Sequence, residues 1–466
     1  MIGIKYKSVY AVNEIFQLLK TQWEWYDESK TYDVVIAEKA DVPGYQGNLI
    51  DLTGNDYFQK ICKELHSGKC HAHQPSVELL LNNLRNELKQ YSTLVEIPAS
   101  PWQHPYMLAL THDVDNISAK QSSLRSVGVA AVRCMLQSNI KKGFELILAK
   151  FGLGQDPWLL FERWKQIERE LGVRSTFYII PPHNIPICSH PYRDARYTMS
   201  QDQITDLQDG GWEVGVHGMN NWIHAGEGIA ELSAVKGGIG NRTHWLLRNW
   251  ASWCYLDLAG YEYDSTFGYD DDIGFRAGTT QAYCPFGASR LLELPLHIQD
   301  MGLLGKTCWA QSKGMWIKLP CLNATEDEAK RLCKELFNYA KLFGGTITLL
   351  WHYESIAAPR DWTEMYQYLV AYAKQEGAWI TTAKNVVEWF RVRRSTKITY
   401  SIVGKKITIS VIRVNRNKDI PDQKVRVHID KTKIESVDGE YQIEDQFVDI
   451  RCDRPELTVI LKEPIV

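Results

Sequence analysis

The apolar positions of this chain keep two rhythms, a period of two and a helical period, and the way these alternate divides it into three parts. Over residues 1–100, short strands (MIGIKYK, residues 33–37 and 48–51) are interleaved with helical stretches at 12–20, 57–66 and 77–91. This predicts a small α/β domain, suited to subunit docking or substrate gating. Pro98, Pro101 and Pro105, with Trp102 and His104 between them, make a stiff connector. Over 101–393, buried-type strands at 107–114, 174–180, 212–217, 291–297, 346–352 and 379–382 alternate with helices at 158–171, 205–211, 324–341, 363–375 and 385–392. The stretch carrying Arg242-Thr243-His244-Trp245 reads as helical. Parallel strands that repeatedly end in a polar group predict a (β/α) barrel. Over 394–466 the texture becomes alternating short strands (KITYSIVG, KKITISVIRV, QKVRVHID, VDIRC, LTVILK), an antiparallel β-sandwich that is structural or touches a glycan.

Chemistry concentrates where apolar runs stop. MLALTHDVDNIS ends a strand in Asp113 and Asp115, which point to one face of an extended chain and can address one small volume. An acidic turn with an Asp N-cap is the plain alternative. His217 ends WEVGVH, His352 ends TITLLWH, and Arg276 in GFRAGT precedes Glu293 of LLELPLH. On a barrel such groups come from the tips of different strands, so several together suggest a site. Either arginine, Arg242 or Arg276, could pair with a carboxylate or with an anionic group on a sugar, or form a structural ion pair. Glu293 could hold that arginine or touch substrate. Asp264 could tune His352 or form an Asx turn. Trp351 and Tyr353 read as packing residues.

Composition narrows the class. Of 466 residues, 44% are hydrophobic and 23% charged, with a net charge of -3, so core material is ample and no basic field suggests a nucleic-acid partner. Abundant Trp and Tyr suit sugar stacking as well as cores. The N-terminus lacks the features of a signal peptide and no apolar run reaches membrane-spanning length, which points to a cytoplasmic protein. Ten cysteines without a CxxC pair read as thiols. Cys62, Cys70, His71 and His73 are metal-type residues at a spacing that matches no zinc ribbon or finger. The basic excursion over 118–154 (Arg125, Arg133, Lys141, Lys142, Lys150) reads as a helical insertion with a solvated face, or one that covers the site or meets an anionic partner.

In this order, THDVD, VGVHG, GFRAGT and LLWH resemble the polysaccharide deacetylase (NodB-homology) superfamily over roughly residues 105–392. The resemblance implies a distorted (β/α) barrel that uses a divalent metal, expected to be zinc, to remove acetyl groups. It implies Asp113 as base, Asp115 and His217 as metal ligands, Arg242 as the arginine that orients the catalytic acid with Arg276 competing for that role, and His352 as general acid. The family's His-Ser-x-x-His motif is here His217-Gly218-Met219-Asn220-Asn221, so Asn221 stands where a second imidazole is expected. His244 is the first candidate for the third ligand, followed by His224 and Asn221. The expected substrate is an N-acetylated sugar or related amide, as in surface-polysaccharide metabolism. The rivals are a non-sugar amide, a glycan binder that has lost its metal, and a scaffold whose flanking domains drive homo-oligomer formation.

Overall fold

The computed structural model describes residues 1–68, 72–183, 196–312, 315–413 and 419–465. The first part is a four-stranded parallel sheet in the order Trp23–Trp25, Ile2–Ile4, Val34–Ala37, Leu49–Asp51. Helices Val9–Leu19, Tyr57–Ser67 and Ser76–Leu88 accompany it. Ser8 starts the first of these by accepting a hydrogen bond from the amide of Ala11. This part is locked to the rest of the chain by charge. Glu14 receives two 2.7 Å hydrogen bonds from Arg394, while the buried Arg393 guanidinium donates to the carbonyls of Gln17, Leu18 and Ile97.

The middle part is built from eight parallel strands: β1 (Met107–Val114), β2 (Thr176–Ile179), β3 (Glu213–Gly218), β4 (Gly240–Thr243), β5 (Tyr263–Asp264), β6 (Leu292–Glu293), β7 (Ile298–Gln299) and β8 (Thr346–Leu350). Each of β1 to β5 pairs with the next, β7 pairs with β8, and β8 returns to β1. Trp379–Thr381 adds to the first half of β1. All eight residues of β1 are buried, as expected of a strand covered on both faces.

The expected single strand over 291–297 is interrupted at Pro295, which has no N–H to give to a ladder. Before the proline, Leu294 donates to the Asp264 carbonyl of β5. After it, His297 donates to the Thr348 carbonyl of β8. One bent stretch therefore supplies two staves, and the barrel closes through the covalent chain where β6 and β7 do not pair.

Residues 240–243 are a strand, not the helix their sequence suggests. Gly-Asn-Arg-Thr has no apolar period, and its buried positions hold polar groups that bond inside the barrel. The 118–154 excursion is a hairpin of helices Leu124–Leu136 and Ile140–Lys150. Its outer face is not a polar, solvated one: Leu136 is 81% and Phe151 68% exposed. The antiparallel pair Thr307–Ser312 and Met315–Pro320 was not anticipated.

The last part is two four-stranded antiparallel sheets. Lys397–Val403, Lys406–Ile412, Glu456–Leu461 and Ile434–Val437 form one, and Tyr441–Glu444, Phe447–Arg451, Lys424–Val427 and Val95–Glu96 the other. Alternate residues such as Ile407 and Ile409 meet Val425, Val427 and Ile450 in a core of their own. The strand Val95–Glu96 comes from the segment ahead of the barrel, and Glu96 is fixed by Arg85 at 2.9 Å and His428 at 2.8 Å. Among the described residues no helix is long and apolar enough to cross a membrane.

Candidate active site

The strand ends bring Asp113, Asp115, His217 and His244 together at the mouth of the barrel, with Arg242 bonded to Asp113 and with His352 near enough to feel the charges of Asp115 and Asp113. Asp113 lies near the end of β1 and Asp115 one residue beyond it. His217 is in β3, Arg242 in β4, and His244 follows β4 directly. Alternation along the strand explains why Arg242 and His244 face inward together, as do the two aspartates. Ligand-type atoms of Asp115, His217 and His244 all lie within 4.8 Å of one another. Asp115 Oδ1 is 3.3 Å from His217 Nε2 and 3.3 Å from His244 Nδ1, and the two ring nitrogens are 2.9 Å apart.

The surroundings fix the state of these groups. His217 Nδ1 lies 2.8 Å from the Arg242 carbonyl, which can only accept, so Nδ1 carries a hydrogen and Nε2 is the nitrogen turned toward Asp115. Burial disfavours the charged form of His217, but the carboxylates of Asp113 and Asp115 outweigh it and raise its pKa. Burial dominates at His244, whose pKa is lowered. Asp115 is held well below the ordinary carboxylate range, because the surrounding imidazoles, His244 foremost, overcome the cost of its burial. Its Oδ1 is nevertheless buried without a hydrogen-bond partner.

Asp113 is held from the other side. Arg242 donates from Nη1 to Asp113 Oδ1 at 3.1 Å and to Thr111 Oγ1 at 2.8 Å, and from Nε and Nη2 to the carbonyl and hydroxyl of Ser265. Its guanidinium lies 4.7 Å over the ring of Tyr178. With both partners buried, removing Arg242 would leave an uncompensated carboxylate, at a cost of about 3–5 kcal/mol.

His352 lies two residues beyond β8. Its Nδ1 is 2.6 Å from Asp300 Oδ1, and its own amide donates to Asp300 Oδ2 at 2.8 Å. Burial works against the charged ring, but Asp300 above all, with help from Asp115 and Asp113, raises its pKa to about 10. The imidazolium is therefore the form at neutral pH, and its second N–H has no partner among the described residues. Asp300, not Asp264, tunes this histidine. The signal was in the sequence as HIQD, another apolar strand ending in an acid.

Other expectations are corrected. Arg276 does not reach Asp113. It donates to the Gly268 carbonyl and faces the rings of Phe267 and Tyr269. Glu293 holds neither arginine by a hydrogen bond. It accepts from Trp253 Nε1 at 2.8 Å and the Phe267 amide at 3.0 Å. Asp264 accepts from Asn241 and Thr266, more than the Asx turn allowed for. Asn221 donates to Asn241 Oδ1 at 2.7 Å and His224 caps helix Ala225–Ala234, so neither belongs to the Asp115 cluster. Trp351 and Tyr353 pack in the core. Cys70 and His71 of the second metal-type group lie outside the described residues.

Trp245, to which the sequence assigns no role, also borders the site. It and Leu246 have φ of 55° and 50°, a left-handed turn that side-chain-bearing residues adopt at a cost of about 1–2 kcal/mol each. The turn lays the Trp245 ring 3.9 Å from that of His244.

No protein-family model and no curated protein sequence matches the chain. Solved structures do. The matches include a protein assigned as a polysaccharide deacetylase from Mycobacterium smegmatis, at 18% identity and a TM-score of 0.41, over 66% of this chain and 99% of that one. A second assigned deacetylase, from Pseudomonas aeruginosa PAO1, aligns at 14% identity and a TM-score of 0.38, over 63% and 94%. An allantoinase, Puue, aligns at 14% and 0.38, over 63% of this chain and 92% of its own. At these identities the likeness concerns fold alone.

Proposed function

We propose that this protein is a metal-dependent hydrolase of the polysaccharide deacetylase type, which removes an acetyl group from an N-acetylated sugar. One observation carries the reading: Asp115, His217 and His244 meet within 4.8 Å beside an arginine-held carboxylate and a carboxylate-held imidazolium. Two imidazoles and one carboxylate form a donor set that suits zinc or cobalt, and the unbonded Asp115 Oδ1 is the kind of buried atom a cation would satisfy. Asp115, His217 and His244 would hold the ion. When bound, it would polarise the amide carbonyl and make water a better nucleophile.

The chain's own residues do the rest. Asp113, oriented by Arg242, takes the proton of the attacking water as its oxygen bonds to the acetyl carbon. His352, kept protonated by Asp300, gives its proton to the amine nitrogen as the C–N bond breaks, releasing acetate. In this reading residues 101–393 carry the chemistry, residues 1–100 and 394–466 flank it, and the substrate is a cytoplasmic precursor of a surface polysaccharide. His244 beside His217 offers the second imidazole that the His-Ser-x-x-His comparison lacks, which supports a metal-holding site over a metal-free binder.

Metal analysis of protein reconstituted with zinc, together with acetate release from chitooligosaccharides, tests the proposal. One bound ion and released acetate are expected. Hydrolysis of cyclic ureides alone would move the activity to non-sugar amides, and neither ion nor acetate would leave a glycan-binding protein.

A further inference from the structure

Beside Trp245 the barrel and the N-terminal part enclose a cavity of about 920 Å³. Its charged lining is lopsided: Lys7, Lys63, Arg248 and Arg276 face a single carboxylate, Asp270. Arg248 and Arg276 both lie over the Phe267 ring, at 3.9 and 5.2 Å from its centre, and neither forms an ion pair with a carboxylate among the described residues. Two arginines brought to one ring, influenced by carboxylates only through space (Glu293 and Asp264 for Arg248, Asp270 for Arg276), keep donors free for an anion from outside. The walls are aromatic, with Tyr10, Trp245, Trp250, Trp253 and Phe286, as suits the faces of a sugar ring. Trp245 joins this cavity to the Asp115 cluster through its contact with His244.

We propose that this cavity is a binding site for an acidic sugar residue, one bearing a carboxylate or a phosphate. That the sugar belongs to the substrate rests on the deacetylase reading; recognition of the anion does not. Titration of the full chain with glucuronate, glucose 6-phosphate and glucose, followed by tryptophan emission, tests it. The acidic sugars are expected to give a saturable change that weakens with salt, and glucose little or none. Arg276→Ala and Arg248→Met, the latter keeping bulk against Phe267, should each weaken acidic-sugar binding by at least about tenfold while circular dichroism stays unchanged. A stronger response to glucuronate or to glucose 6-phosphate tells which anion fits. Equal affinity for glucose, no saturable change, or wild-type affinity in both folded variants would overturn the proposal. The measurement requires neither metal nor turnover, so its failure is distinguishable from failure of the deacetylase reading.

A separate observation concerns the helical hairpin that begins just beyond Asp115. Its helices meet through small residues: an added Cβ on Gly143 would lie 2.9 Å from the Ala131 carbonyl oxygen. The large apolar side chains Leu124, Val132, Leu136, Ile140, Phe144 and Phe151 point outward instead, 56% to 81% exposed. Between residues 117 and 155 there are six Lys or Arg and one acid, Glu145, in a chain whose net charge is -3. A second copy would bring the same positive charge to such a contact, whereas an anionic lipid surface complements both features. We infer that the hairpin docks on anionic membranes. Co-sedimentation should show binding to vesicles of phosphatidylcholine with phosphatidylglycerol, weak binding to phosphatidylcholine alone, and at least about tenfold loss in Leu136→Ser/Phe144→Ser and in Lys141→Glu/Lys142→Glu. Undiminished binding by both variants, or no binding together with a dimer that the serine variant dissociates, would overturn it.

Discussion

Two neighbouring residues of β1 lead into two buried histidine–carboxylate clusters of opposite character. His112 turns to one side, where its Nδ1 meets the Trp351 carbonyl at 2.7 Å and its Nε2 meets Glu168 at 2.9 Å. Glu168 is completed by Ser175, Trp212 and Tyr366, so both its oxygens are fully used. Asp113 turns to the other side, toward a group in which Asp115 Oδ1 lacks a hydrogen bond and two imidazole nitrogens face each other at 2.9 Å. Burial and residue type are shared. What separates a cluster that holds the fold from one poised for a ligand is whether its polar atoms are satisfied from within the chain.

The contrast can be broken from either side. The largest effect is expected from Asp115→Ala, which should abolish binding of one divalent ion and lower kcat/KM by at least about a thousandfold, while circular dichroism shows the metal-free variant still folded. Glu168→Ala should do the reverse. It leaves His112, Trp212 and Tyr366 without their shared acceptor, and denaturant unfolding should show a loss of about 3–5 kcal/mol while folded molecules still bind the ion.

A smaller effect, about ten- to a hundredfold in kcat, is expected for Asp300→Asn, which removes the chief support of the His352 charge. The alkaline limb of the pH–rate profile should move to lower pH. Stability gives a second readout with a fixed sign. The His352 pKa is raised from 6.5 to about 10 on folding, so its contribution is complete below the unfolded value and fades as pH rises through about 10. Unfolding measured across that window should be flatter in the variant. The smallest change belongs to Asn221→Ala, which should cost about 1–3 kcal/mol through the orphaned Asn241 acceptor and leave the bound-ion stoichiometry unchanged.

Much of the site was legible because its residues terminate apolar runs. Asp113, Asp115, His217 and His352 are polar ends of strands that the hydrophobic pattern marks clearly. Arg242 and His244 were singled out, but their strand was not recognised. Gly240–Thr243 buries asparagine, arginine and threonine inside the barrel, so it lacks the apolar signature by which strands are found. The bend at Pro295 hid a similar point: once the segment is seen as two staves, Asp300 becomes one more acid at a strand end. Arg276 and Arg242 could not be told apart from their motifs, since only tertiary geometry decides which guanidinium meets Asp113. The hairpin was legible as helix and charge, whereas the outward turn of its large apolar residues follows from small-residue packing between its two helices.

Anomalous diffraction from crystals soaked in zinc or cobalt tests the central claim most directly. One ion is expected, bound by Asp115, His217 Nε2 and His244 Nδ1, with Asn221 still hydrogen-bonded to Asn241. An ion elsewhere in the chain with this cluster left metal-free, or no bound ion at saturating zinc and cobalt, would contradict it.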